Sequence, residues 1–332
     1  MNNFITKDRN DLFSTLRGLD LKQLLIEVED YYLEYRNNLD LPLFLTFGVE
    51  IEYEDIFNQI TNFYIKHNFN KWESKTDPSL DSGGEISSPI LIDSPNCWDE
   101  LLKICNHLKK RKANTIENAG GHIHVGANVL GDDVESWKQF IKINIIYEHI
   151  LSRFLCGDKI NGRRDKNDMA GPISAALYRN ILLIDKSRSV DELFSQLPTI
   201  DRCLFINFIN ININDINSSR YKNTYEFRGG NATDCAIVWQ NSINAITKLS
   251  LTARNKLADV EFLNYKLNNE YRLNDGNEYL YDCIILKDVL EFVDINFDNN
   301  LDKVYFLRQY LKSFQERFGV GYAVKAKKFV RK

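Results

Sequence analysis

The sequence is poor in structural punctuation: 6 prolines and 16 glycines among 332 residues leave little material for a flexible linker between domains. Its six cysteines (97, 105, 156, 203, 235 and 283) contain no CxxC pair and no framework spacing, which excludes a disulfide-stapled miniprotein. Cys97, Cys105 and Cys156 adjoin Trp98, Ile104 and Leu155, as small buried hydrophobes do. No run approaches the roughly 18–20 apolar residues that cross a bilayer, and the opening MNNFITKDRN has no signal-peptide core. A cytoplasmic protein without a membrane partner is the expectation. An excess of one charge is also missing: Lys+Arg 42 against Asp+Glu 46 gives −4, so the whole molecule is no electrostatic trap for nucleic acid. Only the tail is basic, with Lys325, Lys327, Lys328, Arg331 and Lys332, and it reads as a solvated end. No GxxxxGK[ST] string occurs, so a nucleotide would not be held by a P-loop.

The remainder is ordinary for a globular chain, at 44% hydrophobic and 27% charged, and long enough to bury a substantial core. Leu21, Leu24, Leu25, Val28 and Tyr32 predict an amphipathic helix over 20–38. Residues 98–112 carry one apolar stripe, and 133–156 another that Asp132 or Asp133 can cap and Gly157 stop. A further long helix is read over 236–258. Period-two patterns predict strands over 44–54, 204–214 and 225–229. Strands and helices do not alternate regularly, which favours an α+β fold with an antiparallel sheet over a doubly wound one.

Four short strands carry polar faces that a plain strand does not need. In Phe47-Gly-Val-Glu-Ile-Glu-Tyr-Glu54 the odd positions are apolar, so Glu50, Glu52 and Glu54 share the other face at roughly 6–7 Å intervals. Such a row repels itself unless water or a cation compensates it, and a solvated sheet face explains this strand alone. In Asp77-Pro-Ser-Leu-Asp-Ser-Gly83-Gly84-Glu85-Ile-Ser87 the glycines permit a tight turn, after which Glu85 begins a strand with Ser87 on its face. Gly120-Gly-His-Ile-His-Val-Gly126 turns His122 and His124 one way, using two of only five histidines. A pair of satisfied surface histidines is the alternative to metal or phosphate contact. In Tyr225-Glu-Phe-Arg228, Glu226 and Arg228 share a face, which in isolation is a surface ion pair worth little. Asn210, Asn212 and Asn214 add a polar row opposite Ile209, Ile211 and Ile213. Taken jointly, one sheet face holding carboxylates and imidazoles around divalent cations is the economical account. Oxygen-rich ligation suits Mg²⁺ or Mn²⁺, and a nearby arginine stabilises charge on a transferred phosphoryl group.

In that order, FGVEIEY, GGEISSP, GGHIHVGA and YEFRGGNAT resemble the amidoligase branch of the glutamine synthetase and glutamate–cysteine ligase superfamily. The resemblance spans roughly 44–245 and implies a curved antiparallel sheet forming an ATP and metal funnel flanked by helices. It also implies a reaction in which ATP phosphorylates a carboxylate and an amine displaces phosphate to leave an amide. By position, Glu50 and Glu52 match the acidic pair of the two metal sites, and Glu85, His122 and Glu226 further metal ligands. His124 matches a contact to nucleotide or substrate phosphate, and Arg228 the arginine on the phosphoryl group. Arg163 and Arg164 follow the 133–156 helix, where phosphate-binding basic residues occur in the family. Asp77 and Ser79 resemble its DxS turn, with Asp77 accepting a proton from the incoming amine, although Pro78 stands where glycine is commoner. Asp81 is the nearby candidate for a second acid. The implied cofactors are ATP and Mg²⁺ or Mn²⁺, and the partners a small-molecule or peptide carboxylate and an amine. The chain then divides into a helical extension over 1–40, a catalytic core over 41–260 and a C-terminal helical segment over 261–332. Three rivals compete with this reading: a non-heme metal enzyme using His122, His124 and a carboxylate, a relative that transfers phosphate to a guanidino group, and a catalytically idle nucleotide-binding relative.

Overall fold

The computed structural model describes residues 33–115, 118–155, 170–197, 202–211, 222–269 and 286–317. Residues 33–38, the end of the predicted first helix, are not helical. The rest of that segment, Cys156, Gly157, Arg163, Arg164, Asn212, Asn214, Cys283 and the basic tail lie outside the described residues.

Among the described residues six strands form one sheet in the order β2 (Glu73–Lys75), β3 (Gly84–Ser87), β1 (Phe47–Tyr53), β4 (Gly120–Gly126), β6 (Thr224–Asn231) and β5 (Ile206–Asn207). Every pair is antiparallel, as expected from the irregular order of patterns. The outer strands are short, at three residues for β2 and two for β5. Within 204–211, the described part of the 204–214 pattern, the strand covers only Ile206–Asn207. The Asn207 side chain accepts the Ile209 N–H at 2.9 Å, a local turn that ends pairing after two residues.

Helices α1 (Asn58–Asn68), α2 (Pro95–Arg111), α3 (Val134–Leu155), α4 (Ser174–Arg179), α5 (Ile181–Lys186) and α6 (Val190–Phe194) precede β5. After β6 come α7 (Ala236–Arg254), α8 (Val260–Asn269), α9 (Leu286–Asn296) and α10 (Asn300–Arg317). Ser94 caps α2 by accepting the Cys97 N–H, with Pro95 in the first turn. Asp133 fills that role for α3, where its carboxylate accepts the Glu135 N–H at 3.1 Å and the Ser136 hydroxyl at 3.0 Å. Among the described residues no helix is long and apolar enough to cross a membrane.

The apolar face of the sheet meets the helices. Phe47 stacks on Trp98 of α2 at 5.5 Å between ring centroids, and Tyr225 of β6 meets Trp137 and Phe140 of α3 at 5.9 and 4.8 Å. All five rings are buried, each worth about 1.5–3 kcal/mol of transfer free energy, which fixes that face inward and leaves the other to chemistry. Residues 136–155 of α3 are buried throughout, so the helix is a central element rather than a one-sided one. Its Glu148 accepts the Ile173 and Ser174 N–H groups at 2.7 and 2.9 Å, tying the 173–174 backbone to the core.

A buried polar network joins α3, α8 and α9. Lys266 Nζ lies 2.8 Å from both Asp288 Oδ1 and Glu291 Oε2, and His149 Nε2 3.6 Å from Asp288 Oδ2. Burial pushes the Asp288 carboxyl up, but His149 and Lys266 outweigh it and bring it down to about 2 from 3.8. A depressed carboxyl stabilises the fold fully above its unfolded value, and that contribution is lost as pH falls through the folded one. Asp288→Asn is therefore expected to cost roughly 2 kcal/mol near neutral pH, with the gap to wild type closing between about pH 4 and 2. Urea unfolding at stepped pH reads this directly, and a pH-independent gap contradicts it.

Candidate active site

Antiparallel register carries the polar residues of four strands into rows across one face. Glu52 stands opposite Glu85, and Glu50 opposite both Ser87 and His122. His124 stands opposite Glu226, which in turn faces Asn207 of β5. At the other edge Lys75 faces Glu85. Between β4 and β6 the register slips: Gly121 pairs with Gly230 and Ile123 with Phe227, so Arg228 and Gly229 together oppose His122. A side chain at Gly229 would place its Cβ 2.0 Å from the Phe205 ring, so the bulge closes only with glycine there.

These rows converge on His122. Its Nδ1 lies 3.2 Å from Glu50 Oε2 and 3.3 Å from Glu226 Oε1, and its Nε2 3.5 Å from Glu52 Oε1. His124 Nε2 is 3.3 Å from Glu50 Oε1, and Thr224 Oγ1 lies 3.4 Å from His124 Nδ1. Two sets of potential ligands result, Glu50–His122–Glu226 and Glu52–Asp77–Glu85, each with ligand atoms within 4.8 Å of one another. The Nε2 atoms of His122 and His124 are buried and make no hydrogen bond despite their nearness to carboxylates. Buried nitrogens that face acidic oxygens without a hydrogen bond fit a cation-binding face.

The carboxylates are held from outside the two sets. Glu52 accepts the Gly120 N–H. Glu85 Oε1 accepts the Ser87 hydroxyl at 2.6 Å and faces Lys75 Nζ at 3.0 Å. Glu226 accepts from Arg228 Nη1 at 2.5 Å and from Asn207 Nδ2 at 2.9 Å. Asp77 Oδ1 accepts the Ser79 N–H and hydroxyl at 2.7 and 2.6 Å, a closed turn despite Pro78. Burial pushes the Glu50 carboxyl up, yet His122 and His124 outweigh it and hold it well below the usual carboxylate range. Glu226 is lowered against the same burial by His122, His124 and Arg228. Both groups are anionic at neutral pH, as cation ligands must be.

Glu54 shares the strand face but not the site. Its carboxylate accepts the Asp81 N–H at 3.1 Å and Asn118 Nδ2 at 3.2 Å, fastening the turn that leads into β3. Asp81 itself is exposed and joins neither ligand set. Asn207 and Lys75 were not distinguishable in the sequence, because their partners become visible only through register.

A family model described as "putative amidoligase enzyme" matches residues 58–250. The chain belongs to the amidoligase family. The matched span contains Asp77, Glu85, His122, His124, Glu226 and Arg228, and begins just after the strand of Glu50 and Glu52. Family membership makes this amidoligase an enzyme of the amide-bond-forming ligase type. Among curated proteins, none matches the chain.

Proposed function

We propose that this amidoligase is an ATP-dependent carboxylate–amine ligase with the catalytic architecture of the glutamine synthetase and glutamate–cysteine ligase superfamily. The observation that carries the reading is the pair of acidic sets on either side of His122, with the Arg228 guanidinium against one of them. Glu50, His122 and Glu226 would hold one Mg²⁺ or Mn²⁺, and Glu52 and Glu85 a second, with Asp77 left beside it to accept a proton. When bound, these cations neutralise phosphate charge and orient the nucleotide. Arg228 presents a planar fork to the phosphoryl group as it passes from ATP to the substrate carboxylate, releasing ADP. His124, whose Nε2 has no hydrogen-bond partner, donates to a nucleotide or substrate phosphate oxygen. The amine then attacks the acyl carbon, the bond to phosphate breaks, and Asp77 takes the proton the nitrogen loses. Arg163 and Arg164 serve the nucleotide phosphates in this scheme. The acid and the amine are small molecules or peptides.

His124 belongs to neither ligand set, which weighs against a two-histidine oxygenase centre. Calorimetric titration of ATP is the test. Binding is expected with Mg²⁺ and to be weakened at least about tenfold without it or in Glu50→Gln. Equal binding with and without the cation, or none at all, overturns the proposal.

A further inference from the structure

The helical side of the sheet, away from the acids, carries a surface that neither packing nor the ligase scheme uses. Asn58, the first residue of α1, accepts the Tyr53 and Ser74 hydroxyls at 2.8 and 2.7 Å, which hangs the helix on that side. α1 buries Thr61 and Ile65 inward, yet its outward side is apolar as well. Phe57 at its N-cap is 78% exposed, Ile60 39% and Phe63 66%, each three residues from the last. Three large apolar side chains within seven positions form a patch, unlike the scattered exposure that is normal at a surface. Beside them a groove of about 420 Å³ runs between α1 and α2, within the roughly 300–1,000 Å³ of ligand pockets. Ile60, Phe63 and Tyr64 line it from α1, and His107 and Arg111 from α2. The Tyr64 ring stacks on His107 at 3.9 Å between centroids, so this wall exists before anything binds. His107 is only 8% exposed, and its Nε2 is buried with no hydrogen-bond partner. Burial, and then Arg111 and Lys110, bring that imidazole down to about 4, so at neutral pH the ring is uncharged and can accept as well as donate. The cations beside the groove are unpaired: Lys66, one turn beyond Phe63, and Lys110 and Arg111 make no ion pair among the described residues. Compensation of helix C-termini accounts for cations in a last turn, but not for the apolar patch next to them.

We propose that the groove between α1 and α2 docks an acidic peptide segment of another protein, with a large apolar side chain against Ile60 and Phe63 and carboxylates over Arg111 and Lys66. Charge decides between occupants. A second copy seated on the same patch would bring its own Lys66, Lys110 and Arg111 toward these. A bilayer would take up Phe57 and Phe63 but leaves the His107 nitrogen unpartnered. Nucleic acid is disfavoured by the net charge of −4 and by the apolar lining. A peptide supplies all that the groove lacks: an apolar anchor, carboxylates, and main-chain N–H groups for an imidazole nitrogen. The groove lies on the helical side of the sheet, so its occupant and the ligase chemistry are independent.

Randomised peptides about 12 residues long, displayed on phage and selected on the full chain, are the probe. Enriched sequences are expected to carry Asp or Glu beside Phe, Leu or Trp. Labelled synthetic copies, followed by fluorescence anisotropy, should bind Phe63→Ser and Arg111→Glu at least about tenfold more weakly than wild type. Leu182→Ser, at an equally exposed apolar position on α5, should bind them as wild type does. No enrichment, enrichment of basic sequences, or an affinity unaltered in either groove variant overturns the proposal. Self-association in sedimentation, or binding to phosphatidylserine vesicles, that disappears in Phe63→Ser while no acidic peptide binds overturns it in favour of a second copy or a membrane. Phe63 and Arg111 are both exposed, so circular dichroism and thermal midpoint of the two variants should match wild type, and a lost affinity then reports the groove rather than the fold.

Discussion

Glu50→Gln and Glu226→Gln are both expected to lower ligase turnover by at least about a hundredfold while parting company in stability. Each removes one anionic ligand from the set around His122, so catalysis fails in both. The fold distinguishes them. Glu50 is approached chiefly by imidazoles, and a neutral carboxamide there also relieves repulsion with Glu226 and Glu52. Its thermal midpoint should fall less than that of Glu226→Gln without metal, because the lost His122 and His124 contacts are offset by relief of that repulsion. Glu226 spends both oxygens on obligatory donors, Arg228 Nη1 and Asn207 Nδ2. A glutamine keeps one oxygen and must turn its NH₂ against the other donor. Asn207 cannot flip to rescue it, because its own oxygen holds the Ile209 N–H. A cost of about 1–3 kcal/mol follows, the usual penalty for a buried donor without an acceptor. Calorimetric melting with a parallel ADP-release assay checks both arms. Equal stability of the two variants would remove the geometric argument, and undiminished turnover in either would remove that residue from the site.

The second large effect belongs to Gly83. It adopts φ +105°, and a Cβ there would stand 2.0 Å from the Tyr53 carbonyl oxygen, which the end of β1 cannot move freely. Gly83→Ala is expected to cost about 3 kcal/mol or more, combining left-handed strain with a backbone clash. Gly131 is the matched control. Its φ is +64°, yet the nearest atom to a new Cβ is 3.9 Å away, so Gly131→Ala should cost only about 1 kcal/mol. Chemical unfolding of the two variants separates close contact from backbone strain, and equal losses would mean that the contact at Gly83 relaxes. Because the Gly83 turn leads straight into Glu85, the variant should also weaken Mg²⁺-dependent binding of ATP.

Much of this face was legible because alternation is unforgiving. Once Val49 and Ile51 are buried, Glu50 and Glu52 have no choice of side, and Ile123 and Val125 fix the histidines in the same way. The amidoligase resemblance and the antiparallel sheet followed from those few strands. What escaped was whatever depends on a strand's length or its neighbour. Asn210 follows the pattern of the polar row, whereas Asn207, of the opposite parity, is the asparagine that reaches Glu226. Glu54 has the parity of Glu50 but lies just beyond β1, where loop N–H groups claim it. Lys75 is one lysine among many until its opposite number is known.

The two outermost strands, of three and two residues, carry a consequence for how the protein behaves in a crowded solution. An open sheet offers unpaired N–H and C=O groups at its margins, although just before β5 Gly171 already bonds Cys203 and Phe205, and long flat margins recruit strands from other molecules. Margins this brief give an incoming strand only one or two ladder bonds to grip, and β2 adds the charges of Glu73 and Lys75. The four longer strands that carry the acids and imidazoles are shielded from edge-to-edge association by their own neighbours. Lengthening either margin, rather than altering the site, is the change that would turn this enzyme toward aggregation.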